Sequence, residues 1–409
     1  MINASNVHGV LPRFGHNDES LLRAELEEIG DVLLDISHAI HAHPETRFEE
    51  YFASKLLVDK LNSEGFLVTQ SLADLPTAFR AEYTTGEGGP TLAFFCEYDA
   101  LEEIGHGCGH NIVAAASIGA ALLTKDWLTQ NPEWTGRIVV IGSPGEEGGG
   151  GKALLLDSQC LDGIDAAMLI HPEGYTLSAM TTLARSMLDF NFRGKAAHAA
   201  VSPEKGINAL DASVLTLTAI GLLRQQLPSD VRVHAIVTHG GDVPNIIPET
   251  ASIRAFVRAP DTKLLMENLV PRVTNCAKGA ALATGATVEI TSSAPPYAAM
   301  KPNAVLARLV ESNFVRVGRT PEPPLTEVLP GSTDMGNVSQ FIPSIHPVIE
   351  LEAGIGLHSR EASALAGSSQ GDRAVLDGAL VLAMTAVQLF SSPDLVHEMK
   401  ASFAEGNAS

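Results

Sequence analysis

A glycine-rich segment near residue 108 carries the side chains best suited to chemistry. Residues 105–111 read G-H-G-C-G-H-N, and the pair Glu146-Glu147 begins 36 residues after His110. Thiolate, imidazole and carboxylate groups are the side chains that bind divalent transition metals in proteins. A carboxylate beside such an ion can also accept a proton from water that the ion activates. The combination indicates a metal-dependent hydrolase.

Cys108 and His110 are the first candidate metal ligands. The neighbouring glycines leave the backbone free to turn both side chains towards one ion. A single buried cysteine usually serves only as a small apolar residue. We interpret the three remaining cysteines in this way: Cys96, Cys160 and Cys276. Cys108 differs from them because a histidine follows it two residues later in the same loop.

Glu146 and Glu147 follow the apolar run I-V-V-I-G and precede four glycines. Adjacent residues of an extended segment point in opposite directions. One carboxylate can therefore bind a metal while the other acts as a general base. The loop ends in G-G-G-G-K but does not match a phosphate-binding loop, because Glu146 replaces its first glycine and Ala153 follows Lys152 in place of serine or threonine.

Two of the fourteen histidines are further ligand candidates. His171 ends the apolar run A-A-M-L-I, and His358 follows the strand-like run H-P-V-I-E-L. We expect His198, in G-K-A-A-H-A-A, to reach a substrate rather than a metal. For four others near strand or helix ends, a structural hydrogen bond is the simpler interpretation: His41, His43, His239 and His346.

The composition restricts the partners of this chain. Its 409 residues include 48 acidic and 27 basic side chains, giving a formal net charge of −21. This balance argues against nucleic acid and anionic membranes, since both attract clustered cations. The apolar segment 374–390 is shorter than a membrane span, which predicts a buried or amphipathic helix. Scattered cysteines and the lack of a secretory leader at the first residues favour a cytoplasmic location.

The elements that must position these side chains alternate between helix and strand. Apolar residues at three- and four-residue spacing predict two helices, separated at Pro44: 18–43 and 47–64. Short apolar runs predict buried strands on either side of an alanine-rich helix over 112–127: 91–96, 137–141 and 166–170. This alternation predicts an α/β fold with a mixed, largely parallel sheet and helices on both faces.

The candidate site residues lie just beyond predicted strands. Asp99, the Cys108 loop, the Glu146 loop and His171 each come after the end of such a strand. Sites in parallel sheets gather at the carboxyl ends of the strands. The positions of these residues therefore support a common site without reference to any single motif.

A different pattern begins at about Ser186. Strands and helices are predicted in the order β-α-β-β-α-β: 186–192, 206–226, 231–238, 251–258, 262–284 and 286–291. This order is typical of a small ferredoxin-like domain. Helix–strand alternation resumes after the prolines at 295 and 296. We predict a discontinuous catalytic domain, 1–185 and 296–409, with a second domain inserted over 186–295.

Several motifs, spread over nearly the whole chain, match the pattern of one enzyme family. They are H-A-H-P-E-T-R-F-E-E, E-Y-D-A-L with G-H-G-C-G-H-N, S-P-G-E-E-G-G-G-G-K, G-K-A-A-H-A-A, G-G-D-V-P-N-I-I-P-E and G-S-T-D-M-G-N-V-S. On these motifs the chain resembles the amidohydrolase and aminoacylase branch, subfamily D, of the M20 metallopeptidases. The resemblance implies a zinc-peptidase-like catalytic domain and a ferredoxin-like lid through which two subunits form a homodimer.

The resemblance also implies roles for the candidate residues. A pair of divalent metal ions would be bound by Cys108, His110, Glu147, His171 and His358. Glu146 would be the general base and then the general acid, and Asp99 would orient a metal ligand. A thiolate ligand favours zinc, with manganese and cobalt as alternatives.

Substrate contacts would come from the lid. By the resemblance, His198 and Asn245 would contact the substrate, with His198 reaching the site of the neighbouring subunit. Arg258, or Arg254 as the alternative, would contact a substrate carboxylate. The implied substrates are small molecules.

Three positions depart from the family pattern. Gly107 and Gly145 stand where the family usually has alanine, and Asn111 stands where it usually has aspartate. None of the three is an implied ligand, so the departures concern loop rigidity and substrate preference rather than the chemistry.

The implied reaction is hydrolysis of the amide bond of N-acyl or N-aroyl amino acids. The segment G-S-T-D-M-G-N-V-S most resembles the branch that contains dipeptidases for β-alanyl-lysine-type substrates and aminobenzoyl-glutamate hydrolases. A dipeptidase is therefore the alternative. A ligand-binding protein without catalytic activity is a minor alternative, because neither a ligand nor the base is missing.

Overall fold

The computed structural model describes residues 14–323, 328–329 and 331–408. The chain divides into two compact units. The first comprises Met1–Met180, Lys301–Thr326 and Val338–Ser409, and the second comprises Thr181–Met300 and Glu327–Asn337. Residues 328–329 and 331–337, which the sequence places in the catalytic domain, thus belong to the second unit. The expectation of no leader falls on residues 1–13, which lie outside the described residues.

The secondary structure follows the predicted alternation. The strands are β1 (Leu67–Gln70), β2 (Phe79–Thr85), β3 (Thr91–Cys96), β4 (Gly136–Gly142), β5 (Ala166–Met168), β6 (His171–Glu173), β7 (Ala184–Arg193), β8 (Arg232–His239), β9 (Thr250–Ala259), β10 (Thr287–Thr291), β11 (Ser344–Ile345) and β12 (Val348–Glu350). The helices are α1 (His16–Ala42), α2 (Tyr51–Ser63), α3 (His110–Gln130), α4 (Gly151–Asp157), α5 (Ala209–Leu223), α6 (Val270–Thr284), α7 (Ala304–Arg316), α8 (Met335–Val338), α9 (Arg360–Ala366), α10 (Ser369–Phe390) and α11 (Pro393–Ala408).

The first unit contains a mixed sheet in the order β1-β2-β4-β3-β5-β11. The pairs β4–β3, β3–β5 and β5–β11 are parallel, whereas β1–β2 and β2–β4 are antiparallel. The predicted α/β fold with a largely parallel sheet is therefore confirmed. Because β3, β4 and β5 run in the same direction, the loops after them emerge at one edge of the sheet.

The predicted strand over 166–170 divides into two. β5 ends at Met168, and β6 begins at His171 and pairs with β12 in a separate two-stranded sheet. The chain therefore leaves the main sheet just before His171.

The core of the first unit is built around α3 and α10, which pack against each other. Both helices are long and apolar enough to cross a membrane, yet 83% of the apolar window of each is buried inside the protein. They are core helices in this fold. The buried helix predicted over 374–390 lies within α10, whose 22 residues make it longer than the apolar run.

The second predicted helix, 47–64, begins later than expected. α2 starts at Tyr51, because the preceding residues adopt a different conformation. Thr46 bridges Ala100 beyond β3, and Phe48 has a φ of +66°, which a helix does not permit. This non-helical segment lies next to the loop of the paired glutamates.

The second unit has the predicted order β7-α5-β8-β9-α6-β10. Its four strands form an antiparallel sheet in the order β10-β7-β9-β8. One face of this sheet is covered by α5 and α6, around a core that includes Phe190, Ile253 and Val273. β8 is an edge strand, so one side of its backbone has no partner strand within the described part of this unit.

Candidate metal centre

The loop between β3 and α3 delivers a thiol and an imidazole to the edge of the sheet. Cys108 is 7% exposed, and His110, the first residue of α3, is completely buried. Gly109 between them has a φ of +72°, and a Cβ there would lie 2.4 Å from Cγ of Pro172. Only glycine fits both the left-handed backbone and this close approach.

The candidate ligand atoms converge in the first unit. They form three overlapping groups, in each of which all the atoms lie within 4.8 Å of one another: Cys108, His110 and His171; Cys108, Glu147 and His358; His110, Glu146 and Glu147. Sγ of Cys108 is 3.5 Å from Nε2 of His171. The structure thus brings together all five predicted ligands and the predicted base.

Asp99 contacts two of the predicted ligands, His110 and Glu147. Its Oδ1 atom and its carbonyl oxygen lie 3.0 and 2.9 Å from Nδ1 of His110. Its Oδ2 atom accepts the backbone N–H of Glu147 at 2.8 Å. A proton on Nδ1 leaves Nε2 of His110 with the free electron pair, which is the form that binds a metal.

The paired glutamates lie in a turn and not in an extended segment. The prediction that they point in opposite directions assumed an extended backbone, and that assumption is wrong. The turn places both carboxylates in one group with His110. Glu147 also belongs to the group with Cys108, and its Oε1 atom is 3.2 Å from Nε2 of His358. Glu147 thus lies between ligands of both groups, as a metal-binding carboxylate should.

The electrostatics of the cluster suit metal binding. Burial would raise the pKa of Glu147, but the hydrogen bond from His358 and the charge of His110 lower it to about 2. Burial lowers the pKa of His171 to about 4. Burial and the charge of Glu147 raise the pKa of the Cys108 thiol well above its usual value. Burial would lower the pKa of His110, but the charges of Cys108 and Asp99 raise it well above its usual value. At neutral pH the carboxylate and His171 are ready to bind an ion, and the thiol and His110 must each first release a proton.

The sequence matches a known family of hydrolases. A family model described as peptidase family M20/M25/M40 matches residues 90–384. The chain belongs to this peptidase family. It is 36% identical over 391 residues to the Xaa-Arg dipeptidase of Mus musculus, covering 92% of this chain and 90% of the relative. It is 39% identical over 274 residues to one of the p-aminobenzoyl-glutamate hydrolase subunits of Escherichia coli (strain K12), covering 62% of this chain and 56% of the relative.

The fold is that of solved M20 peptidases. A dinuclear metal-binding peptidase of family M20 from Bacillus subtilis has a TM-score of 0.62 to this structure at 20% identity, covering 88% of this chain and 99% of the other. The M20 family binds a pair of metal ions, and its members named above hydrolyse amide bonds. This chain is accordingly an M20 metallohydrolase of amide bonds.

The residues present fit a metal pair. Nε2 of His110 is completely buried and has no hydrogen-bond partner among the described residues. Nε2 of His171 faces the sulfur of Cys108 at 3.5 Å. A buried imidazole nitrogen without a partner is costly, and a bound ion would remove that cost.

A buried ion pair next to His110 was not predicted from the sequence. Nζ of Lys152 lies 2.6 Å from Oε1 of Glu97, and both side chains are completely buried. Oε2 of Glu97 lies 3.5 Å from Nε2 of His110. Burial would raise the pKa of Glu97, but the charge of Lys152 holds it far below its usual range. Glu97 and Lys152 are 55 residues apart, so no local sequence pattern predicts that they pair.

The three departures from the M20 pattern have local explanations. A Cβ at Gly107 would lie 2.9 Å from the carbonyl oxygen of Ser359, and one at Gly145 would lie 2.8 Å from the ring of Phe48. Asn111 donates hydrogen bonds to Oγ of Ser37 and to the carbonyl oxygen of Ala366, which an aspartate could not do. All three residues therefore fit the packing around the site.

In the second unit, the segments of His198 and Asn245 lie side by side. The N–H of Ala199 donates to the carbonyl oxygen of Asn245 at 3.0 Å, and His198 bridges Ile246. Both predicted substrate residues have solvent-accessible side chains. This pairing brings them to one part of the second unit.

The two predicted arginines differ in their surroundings. Arg254 is exposed and forms an ion pair with Asp189 at 2.7 Å. Arg258 lies beside a cavity of about 630 Å³ together with Arg232 and His234. Burial and the neighbouring Arg185 lower the pKa of Arg258. Arg258 thus lines this cavity and donates a hydrogen bond to Oγ of Ser332 at 2.8 Å, whereas Arg254 lies outside it.

Arg185 is a further cation that the sequence did not single out. Its guanidinium lies over the rings of Tyr297 at 3.9 Å and Phe256 at 5.3 Å. It is 9% exposed, and its Nε and Nη2 atoms have no hydrogen-bond partner among the described residues.

The four histidines predicted to have structural roles fall into two groups. His41, His43 and His239 each make a hydrogen bond to a backbone carbonyl or a threonine hydroxyl. His346 is buried and stacks on the ring of the predicted ligand His171, with 5.6 Å between ring centroids. Burial lowers the pKa of His346 to about 3, so it supports that ligand as a neutral ring.

Proposed function

We propose that this M20 enzyme hydrolyses the amide bond of small N-acyl or N-aroyl amino acids. The convergence of six side chains of the right chemistry in the first unit is the observation that carries this proposal. Cys108, His110, Glu147, His171 and His358 would hold two divalent ions. Bound ions would lower the pKa of the attacking water and polarise the amide carbonyl.

Glu146 is the general base in this proposal. Its carboxylate accepts the proton of the attacking water and returns it to the nitrogen of the leaving amine. Asp99 keeps His110 in the tautomer that presents Nε2. His198 would stabilise negative charge on the carbonyl oxygen, in the neighbouring subunit's site if the enzyme is a dimer.

Zinc is the ion we propose, because a thiolate ligand prefers it to harder ions. Manganese and cobalt remain the alternatives, since availability also decides which ion a site holds.

All the proposed substrates carry a free carboxylate. Arg258 and Arg232 line the cavity of about 630 Å³ in the second unit together with Asp230, and a guanidinium is the group that pairs best with a carboxylate. Asn245 would add a neutral contact. In the first unit a cavity of about 380 Å³ lies next to Glu147 and His358, as expected for a group bound close to the reacting bond.

A dipeptidase is the second candidate. A relative that aligns with 92% of this chain is named as an Xaa-Arg dipeptidase, and 90% of that protein is covered. A dipeptide also carries a free carboxylate and an amide, so the same residues would bind it. The two candidates differ in the acyl group on the carbonyl side of the amide, which is an alkyl or aryl group in one and carries a free amine in the other.

Two substrate series, one with arginine and one with glutamate as the carboxyl-side residue, test both candidates. We would measure amine release from acetyl-, benzoyl-, alanyl- and β-alanyl-arginine, and from acetyl-, benzoyl- and aminobenzoyl-glutamate. Each would be run with the native enzyme, after chelation, and after addition of zinc, manganese or cobalt. Carboxamide versions of the best two substrates would test the free carboxylate.

We expect the enzyme to release amine from at least one of these compounds. Chelation should abolish this activity, and one of the three added metals should restore it. Preference for the acyl and aroyl compounds supports the amidohydrolase, and preference for the alanyl compounds supports the dipeptidase. Loss of activity with the carboxamides supports the carboxylate contact. No release from any compound by enzyme shown to contain two metal equivalents would favour a ligand-binding protein.

We further propose a homodimer formed through the second unit, in the cytoplasm. Several large apolar side chains of α5 and the edge strand β8 are exposed, including Leu222 (67%) and Ile236 (63%). An exposed edge strand with apolar neighbours invites pairing with a second copy. Sedimentation of the wild type and of Ile236→Lys, which should shift a dimer towards monomer, tests this proposal.

A further inference from the structure

A buried carboxylate outside the metal cluster contacts the loop of the paired glutamates. Oε1 of Glu50 accepts the N–H of Phe48 at 2.8 Å and the N–H of Gly145 at 2.9 Å. Its Oε2 atom accepts the hydroxyl of Thr77 at 2.8 Å. Gly145 immediately precedes Glu146. One side chain therefore links the start of α2, the start of β2 and the loop that carries the general base.

The position of Glu50 suggests helix capping, but its contacts do not. Glu50 directly precedes α2, yet its side chain makes no hydrogen bond to the free N–H groups of that helix. Those groups are satisfied by Glu45, whose two carboxylate oxygens accept the N–H groups of Phe52 and Ala53 at 2.9 and 3.0 Å. Glu45 therefore caps the helix, and the side chain of Glu50 instead contacts the loop of the paired glutamates.

Two neighbours of Glu50 hold the same loop. The ring of Phe48 occupies the space where a Cβ would lie on Gly145 or Gly149, at 2.8 and 2.6 Å respectively. Nη1 of Arg47 donates to the carbonyl oxygen of Glu147 at 3.2 Å. Phe48 adopts its positive φ where these contacts form, which is uncommon for a bulky residue. Arg47, Phe48 and Glu50 thus all contact this loop.

Glu50 is also an expensive residue to bury. It is completely buried, and no cation pairs with it in the described part of the chain. Burial and the nearby charge of Asp99 raise its pKa to about 7. Burying a carboxylate without a cation costs free energy, which its hydrogen bonds to Phe48, Gly145 and Thr77 offset in part.

We propose that Glu50 is a positioning residue for the general base: by holding the N–H of Gly145 it fixes the place of Glu146 relative to Glu147 and His110. The inference rests on the proposed hydrolase function. Glu50 does not touch the reacting atoms, and its effect is transmitted through one backbone N–H group. A displacement of about 1 Å in such a group is sufficient to lower a rate by roughly a hundredfold.

Four proteins test this proposal: wild type, Glu50→Ala, Glu50→Gln and the control Glu45→Ala. Glutamine keeps one oxygen for both N–H groups, and its amide can donate to the hydroxyl of Thr77. The control removes the helix cap and leaves the loop contacts in place. For each metal-loaded protein we would measure kcat and KM on the best substrate, metal content, melting temperature and hydrogen exchange of a peptide covering residues 143–150.

In Glu50→Ala we expect kcat to fall about ten- to a hundredfold with KM and metal content within about twofold of wild type. Exchange of the loop peptide should accelerate about tenfold or more, because a hydrogen bond to a charged group is lost. Glu50→Gln should recover most of the rate and the protection. Glu45→Ala should lower the melting temperature alone.

Unchanged loop exchange in Glu50→Ala would overturn the proposal, as would an equal loss of kcat in Glu50→Ala and Glu50→Gln. Loss of kcat in Glu45→Ala to the level of Glu50→Ala would also overturn it, because general destabilisation would then explain the effect. Hydrogen exchange does not depend on turnover. A wild type without activity on any substrate would therefore refute the proposed function while leaving the loop contact testable.

Discussion

Oδ1 of Asp99 lies 3.0 Å from Nδ1 of His110, and both side chains are buried. Since the same carboxylate accepts the N–H of Glu147, one residue orients two predicted ligands from different segments of the chain. Carboxylates that orient metal-binding histidines typically contribute ten- to a hundredfold, on the order of 1 to 3 kcal/mol, to metal affinity or activity.

Replacement of Asp99 by alanine should therefore weaken metal binding about ten- to a hundredfold. Competition with a chromophoric chelator would measure the affinity. Asp99→Asn is the matched control, because it retains one oxygen but presents an N–H group to either His110 or Glu147. An affinity equal to wild type in Asp99→Ala would mean that His110 is oriented by the carbonyl oxygen of residue 99 alone.

The two glutamates should respond differently to the same substitution. Glu146→Gln should lower kcat by about 10²- to 10⁴-fold while metal content stays at the wild-type level, because only proton transfer is removed. Glu147→Gln should lose metal, since it removes a carboxylate that the structure places with Cys108 and His358. Metal analysis after dialysis, with single-turnover rates, separates the two effects. The reverse pattern would exchange their roles.

Lys152 should contribute strongly to stability. Lys152→Met leaves the completely buried carboxylate of Glu97 without the cation 2.6 Å away, and removing one partner of a buried pair costs about 3 to 5 kcal/mol. Urea unfolding of the metal-free protein at neutral pH would measure the change. The double variant Lys152→Met with Glu97→Gln should recover part of the loss. A loss below about 1 kcal/mol in the single variant would show that water or rearrangement replaces the cation.

Much of the site could be predicted from the sequence because its ligands follow apolar strands. Cys108 and His171 each follow an apolar run that predicts a buried strand. The carboxyl ends of parallel strands lie at the same edge of a sheet. The glycine next to His110 also marked a tight loop. These inferences use only local patterns and one general property of parallel sheets.

The remaining features depend on contacts between distant segments. Glu50 and Gly145 are 95 residues apart, and Glu97 and Lys152 are 55 apart. A carboxylate that meets its partner only after folding leaves no periodicity in the sequence. The same reason explains the later start of α2 at Tyr51, where tertiary contacts override the helical spacing of residues 47–50.

The buried carboxyl of Glu50 should make stability depend on pH. Its pKa of about 7 in the folded protein exceeds the ordinary value of 4.5, so the folded state binds the proton more tightly than the unfolded chain. The resulting stabilisation is fully present below pH 4.5 and is lost as the pH rises through 7. A shift of this size corresponds to about 3 kcal/mol.

Glu50→Gln cannot titrate at this position, so the comparison with wild type isolates Glu50 and its coupling to Asp99. The difference in the free energy of unfolding between Glu50→Gln and wild type should therefore move by about 2.5 kcal/mol in favour of the variant between pH 5 and pH 8. Urea unfolding of both metal-free proteins at four pH values in this interval measures that difference. A constant difference across the interval would mean that Glu50 keeps an ordinary pKa in the folded protein, because water or a cation then stabilises its charged form.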